Sequence, residues 1–343
     1  MPKIQRRKLL AGFALSPIAG TAFAQETRLT FATTMPLGPA GAASNEFLNP
    51  WLEQIEKEGK GVVAVTRRDG PNIATMANSY DRVINDVVQI AWSLQPLLGG
   101  KFPLSEVAGL PFLTKSSEAA SVALWRLYKT GILDSEYQDV VPLWFAVSAQ
   151  NQMHFAKPLK SVLELDGLKV NVFNRTLVQV VETFKGTPVS VGPEQVYESL
   201  QRGNADGTMT SWTGFRAYRL TEVTRFHVSA PFGSSVHMFF MSKKKFNELT
   251  PQARKVLLDA SGEVQARRQG IAWDRREGLE RAEAEATGKH IVVDASPEQM
   301  RSWSAQTQPI IEGWAKGRPN GQKVLDTYKQ LLDQVESERK QGK

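Results

Sequence analysis

Between Leu165 and Gly207 the chain reads LDGLKVNVFNRTLVQVVETFKGTPVSVGPEQVYESLQRGNADG, and few folds can accommodate that order of residues. A short apolar run ends at Asn171, and Arg175 follows where the chain turns. Leu177, Val178, Val181 and Phe184 then recur at helical spacing, as do Val196, Tyr197 and Leu200 after a second short extended run. The pattern predicts strand, helix, strand, helix and return strand, a pair of βα units on a largely parallel sheet.

The same alternation appears upstream. Leu29–Thr33 and Val62–Val65 predict strands, with a helix between them carried by Phe47, Leu48, Trp51, Leu52 and Ile55. Asp69-Gly70-Pro71 ends the second strand, Ile73–Asn85 predicts a helix, and Val88–Trp92 a third strand. A further helix runs through Ala119 to Tyr128 and a buried strand through Val140 to Val147. The polar triplet Gln150-Asn151-Gln152 then separates that strand from His154-Phe155-Ala156, which places a crossing between two lobes there. Thr250-Pro251 is a helix start, and from Gln252 to Thr287 no proline intervenes. A helix of about 36 residues would be roughly 50 Å long, enough to lie across both lobes. Ser296-Pro297-Glu298-Gln299 opens another helix, and Val324–Arg339 predicts the last.

Charge and composition exclude more than they propose. The formal net charge is +7, but Lys3, Arg6, Arg7 and Lys8 fall in residues 1–24, which hold no acid, so the remainder carries +3 and gives no reason to expect nucleic acid as a partner. Arg6-Arg7-Lys8-Leu9-Leu10, an apolar run to Phe23 and Ala22-Phe23-Ala24 before Gln25 form an export signal cleaved near Ala24, with twin arginines of the kind used in folded-protein export. With no cysteine there is no disulfide or thiolate site. His154, His227, His237 and His290 show no metal-ligand spacing, no phosphate cradle or nucleophile elbow occurs, and no acid–base pair stands out. No cofactor and no catalytic residue is expected.

Several phrases together resemble the solute-binding subunits of TRAP transporters, the DctP-like family: DVVQIAWS (Asp86–Ser93), LPFL (Leu110–Leu113), ELDGLKVNV (Glu164–Val172), PEQVYESLQRGNADG (Pro193–Gly207) and MSKKKFNELTPQARKVLLDAS (Met241–Ser261). The resemblance implies an α/β, two-lobed periplasmic-binding-protein fold with crossing hinge strands and a long helix spanning both lobes. It implies capture of a small organic acid and delivery to integral-membrane TRAP permease subunits. Residues 25–150 would form lobe I, completed by about 239–277, and 151–238 lobe II, completed by about 278–343. A receptor for another transporter or a sensor, or an exported enzyme on the same fold, are the alternative readings.

The site residues follow partly from the resemblance and partly from the pattern. Members of the family usually carry an arginine where this chain has Asn171, and an amide cannot supply the charged, two-pronged grip on a carboxylate. Asn171, Phe173 and Arg175 alternate along one strand exit, and Arg175, at a helix start, is the candidate for a displaced clamp. Trp92 ends a predicted strand and Trp212 follows one, where open α/β sheets bind ligands, and the two are candidates for facing aromatic rings. Gln150, Asn151 and Gln152 are candidate neutral donors at the crossing.

Overall fold

The computed structural model describes residues 26–34, 42–114, 116–159 and 164–341; the expected export signal and the Met35–Pro39 loop lie outside them. The chain lays down β1 (Thr27–Thr33), β2 (Val63–Asp69), β3 (Ile90–Leu94) and β4 (Val140–Val147) in one sheet. It then builds a second sheet from β5 (Gln152–Phe155), β6 (Lys169–Asn171), β7 (Thr187–Val189), β8 (Gly207–Thr210) and β9 (Phe226–Ser229). Finally it returns to the first sheet with β10 (Val236–Ser242) and to the second with β11 (Ile291–Asp294). The orders are β2-β1-β3-β10-β4 and β11-β9-β5-β8-β6-β7. β1 pairs in parallel with β2 and β3, whereas β10, arriving from the other lobe, runs antiparallel between β3 and β4. β6 is parallel to β7 and β8, as the βα pattern requires.

The helices are α1 (Ala42–Glu58), α2 (Ser79–Ile84), α3 (Ser117–Lys129), α4 (Arg175–Thr183), α5 (Val196–Gln201), α6 (Trp212–Ala217), α7 (Lys243–Glu248), α8 (Pro251–Asp259), α9 (Gly262–Ala286), α10 (Pro297–Lys316) and α11 (Gly321–Lys340). Local chemistry explains several of their ends. Asn174 caps α4 by accepting the Leu177 N–H at 2.7 Å. Ser296 and Gln299 form a reciprocal capping box on α10, and Thr250 with Pro251 starts α8. The helix expected over Ile73–Asn85 shrinks to α2, because Thr75 and Asn78 bond each other's backbone N–H groups and hold a turn instead. The long helix breaks after Asp259; α9 begins at Gly262, whose φ of +71° is left-handed.

Each sheet is covered on both faces. Val122, Phe145, Phe240 and Tyr328 lie in one core of the first lobe, and Phe31, Trp51, Trp144 and Phe239 in the other, where Trp144 stacks on Phe239 with ring centroids 3.8 Å apart. In the second lobe, Leu177, Val181, Phe232 and Trp303 form one core and Val196, Leu200 and Phe215 the other. The C-terminal segment differs from the expected division. β11 and Trp303 of α10 belong to the second lobe, but Trp314, Val324, Leu325 and Tyr328 are buried in the first, with α11 packed on α3. The apolar stripe of α11 finds its mate on α3, and an ion network of Arg126, Glu263, Arg267, Glu338, Glu118 and Arg339 joins α3, α9 and α11.

Candidate functional site

The chain crosses between the lobes at residues 148–151 and again at 230–235, and backbone groups join the two crossings. The Ser148 N–H donates to the Ser235 carbonyl at 2.9 Å, and the Asn151 N–H to the Gly233 carbonyl at 2.6 Å. Ser148 Oγ accepts the Ser235 N–H at 2.9 Å, and the Gln150 amide brackets the second crossing through Gly233 N–H and Ser234 Oγ. Above this junction is a cavity whose empty space, open mouth included, is about 560 Å³.

Its walls are aromatic on both sides. Trp92 in the middle of β3 and Trp273 on α9 come from one side, with Phe47 set edge-on to each at 5.7 and 5.9 Å. Phe173 and Tyr218, with centroids 6.1 Å apart, come from the other. Between them lie Ser44, Ser148, Asn151, Thr210, Ser211, Thr213, Ser235 and His237. The Trp92 indole Nε1–H, a donor only, donates to His237 Nδ1 at 3.0 Å, so the imidazole proton sits on Nε2. Burial holds His237 down to about 3, so it is neutral. Asn151 is 2% exposed and its Nδ2 has no hydrogen-bond partner.

Two supports stand behind the cavity. The Glu277 carboxylate of α9 accepts the Trp212 and Thr213 N–H groups at 2.7 and 3.0 Å, fixing the start of α6 and with it Ser211, Thr213 and Gly214. Burial pushes Glu277 up to about 8 against the pull of those two donors. One turn earlier on α9, Asp274 accepts the Ser117 and Glu118 N–H groups and the Ser116 hydroxyl at the start of α3. The second support is a chain of imidazoles beneath Thr210. His154 Nε2 donates to the Thr210 carbonyl at 3.1 Å, His154 Nδ1 lies 2.8 Å from His227 Nδ1, and His227 Nε2 lies 3.0 Å from His290 Nδ1. Since a carbonyl only accepts, it fixes the tautomer of every ring in the row. Burial lowers His154 to about 3 and His227 to about 2, and His290 moves the same way.

Of the residues singled out in the sequence, Trp92, Asn151 and Phe173 line this cavity. The others lie elsewhere. Asn171 is fully buried in the second sheet, where its Oδ1 accepts the Val191 N–H at 3.0 Å and Thr208 Oγ1 donates to its carbonyl at 3.2 Å. Arg175 is exposed at the first residue of α4, and its charge acts on Glu106 of the first lobe. The ring of Trp212 turns inward, 4.9 Å from each of His154, Phe215 and His227. Gln150 and Gln152 bond the crossings and line a groove with Asp274 and Glu277. Sequence reasoning passed over His237, Trp273 and Tyr218. The single tryptophan among the charges of α9 was the available signal.

The family model for bacterial extracellular solute-binding proteins, family 7, known as DctP, matches residues 37–317. The chain belongs to this family. TsaT of Comamonas testosteroni, described as an outer membrane transporter protein, is 27% identical to this DctP-family chain over 338 residues, spanning 94% of this chain and 97% of TsaT. A TRAP solute-binding protein from a marine metagenome, specific for aromatic acid ligands and crystallised with 3-hydroxybenzoate, superposes with a TM-score of 0.83 at 26% identity, covering 91% of this chain and 99% of that one. A Rhodoferax ferrireducens TRAP solute-binding protein with copurified benzoate shares the fold at a TM-score of 0.84 and 21% identity, over 91% of this chain and 99% of that one. The architecture is thus that of the two-lobed TRAP solute-binding proteins.

Proposed function

We propose that this protein captures a small aromatic monocarboxylate between its lobes, in the periplasm, and delivers it to the membrane subunits of a TRAP transporter. The observation that carries the reading is the cavity itself, with Trp92 and Trp273 facing Phe173 and Tyr218 across a space that also holds a buried, unpartnered amide. Flat apolar walls match a ring, and the convergent donors match a group with several lone pairs. The marine relative specific for aromatic acid ligands supports the class. The arginine-containing leader at residues 1–24 supports export, and no described helix is long and apolar enough to cross a membrane. Capture and release without turnover is the expected behaviour, coupling to an ion gradient being left to the permease.

A thermal-shift screen followed by calorimetry tests the reading. Benzoate, 3-hydroxybenzoate and mandelate should raise the melting temperature and be recovered unchanged. Stabilisation by aliphatic dicarboxylates alone would overturn the aromatic assignment.

A further inference from the structure

We infer that the acid group of the ligand is received by neutral donors on the two crossing segments, Asn151 Nδ2 and His237 Nε2, and not by a cation. The inference rests on the cavity being an organic-acid site, and it assigns the determinants of specificity within it.

Three observations converge. The side chains lining the cavity among the described residues are all uncharged, and Arg175, the cation that the sequence places nearest, is exposed outside it. Asn151, one of the lining residues, is anchored by its backbone bond to Gly233 at 2.6 Å, and its Nδ2 is buried without an acceptor. An amide N–H in that condition is a standing cost until a ligand supplies a lone pair. Trp92 supplies the third. Because its N–H occupies His237 Nδ1 at 3.0 Å, the ring atom left for the cavity is the protonated Nε2. Trp273, with centroid 4.8 Å from that ring, and the surrounding burial keep the imidazole uncharged.

Both donors stand at the junction of the lobes, His237 on β10 two residues beyond the bonded pair Ser148–Ser235 and Asn151 opposite Gly233. The head group therefore sits at the junction, with the ring directed outward between the aromatic walls. Such a site distinguishes ligands differently from one built on a guanidinium. It rewards lone pairs more than charge, so an amide isostere retains much of the affinity of the acid.

The test uses benzoate and benzamide as probes on the mature protein, by calorimetry. On the wild type, benzamide should bind within about tenfold of benzoate, the difference expected between a charged and a neutral acceptor on the same donors. Asn151→Asp, which replaces the donor by an acceptor-only carboxylate, should weaken benzoate by at least about 100-fold and benzamide far less. His237→Gln, which keeps an acceptor for Trp92 and restores an N–H donor, should keep benzoate affinity, whereas His237→Phe should lose it. Arg175→Ala should leave benzoate affinity unchanged. Loss of binding in Arg175→Ala together with wild-type benzoate affinity in Asn151→Asp would overturn the inference while leaving the aromatic-acid reading intact. Failure of the wild type to bind any aromatic acid would overturn that reading instead. The comparison of the two probes on the wild type requires no variant to fold.

Discussion

Two glycines on the same helix should respond in opposite directions to the same methyl group. A Cβ on Gly270 of α9 would lie 2.4 Å from Glu118 Cα, 2.7 Å from Glu118 N and 3.0 Å from Ser117 C, all backbone atoms of α3. Carbon atoms pack at about 3.5–4.0 Å, so α3 would have to retreat by about 1 Å. Overpacking of this kind costs about 1–3 kcal/mol. The retreat also stretches the bonds from Ser117 N–H and Glu118 N–H to Asp274, at 2.7 and 3.1 Å, and each such bond to a carboxylate contributes about 1.5–3 kcal/mol. Alanine returns about 1 kcal/mol of helix propensity, so Gly270→Ala should lose about 2–4 kcal/mol net. A Cβ on Gly278, two turns further on, meets nothing within 4 Å, and Gly278→Ala should gain about 0.5–1 kcal/mol. Urea unfolding followed by circular dichroism should place the two midpoints on opposite sides of the wild type. Equal shifts, or a stable Gly270→Ala, would refute the close approach of α3 and α9.

Acidification offers a second check. A buried imidazole whose folded value is about 3 binds its proton only on unfolding once the pH falls below about 6.5, so its stabilising contribution is complete above 6.5 and is lost progressively as the pH drops towards 3. Glu277 and Glu136, pushed up to about 8 and about 7, act with the opposite sign and lose stability as the pH rises. The informative quantity is therefore a difference: between pH 4 and 6 the slope of unfolding free energy against pH should be shallower in His237→Gln than in the wild type by about 1.4 kcal/mol per unit, and parallel slopes would show that the ring is charged. Glu277→Ala leaves two buried N–H groups without acceptors and should cost about 2–4 kcal/mol and weaken benzoate binding through displacement of Ser211 and Thr213; full ligand affinity in a folded variant would separate α6 from the site. Trp273→Ala should reduce affinity for aromatic acids by at least about tenfold, as expected when an interface ring is removed, and an unchanged dissociation constant would remove that wall from the site.

The βαβα stretch was legible because strand and helix periods differ and each buried face carries its own period, so Leu177, Val181, Val196 and Leu200 reach their cores as the spacing requires. Trp92 was legible for a related reason, since it lies in a strand reaching the cleft edge. Trp212 was not. Ser211 caps a new helix there, and one change of backbone geometry turns the indole into the imidazole cluster while Ser211 and Thr213 line the cavity. The docking of α11 on α3 was also invisible, because an amphipathic stripe records that it has a mate but not which one. His237 gave no local signal: its role depends on Trp92, 145 residues away in sequence.

Asp274 and Glu277 stand one turn apart on α9, one holding the start of α3 and the other the start of α6. Three residues of helix rise by about 4.5 Å, so this pair fixes the spacing of two elements that belong to different lobes. Opening the cleft cannot separate them without breaking the hydrogen bonds that hold the two helix starts. Motion of one lobe against the other would instead pivot about the carboxylate pair, as a door swings about its pin.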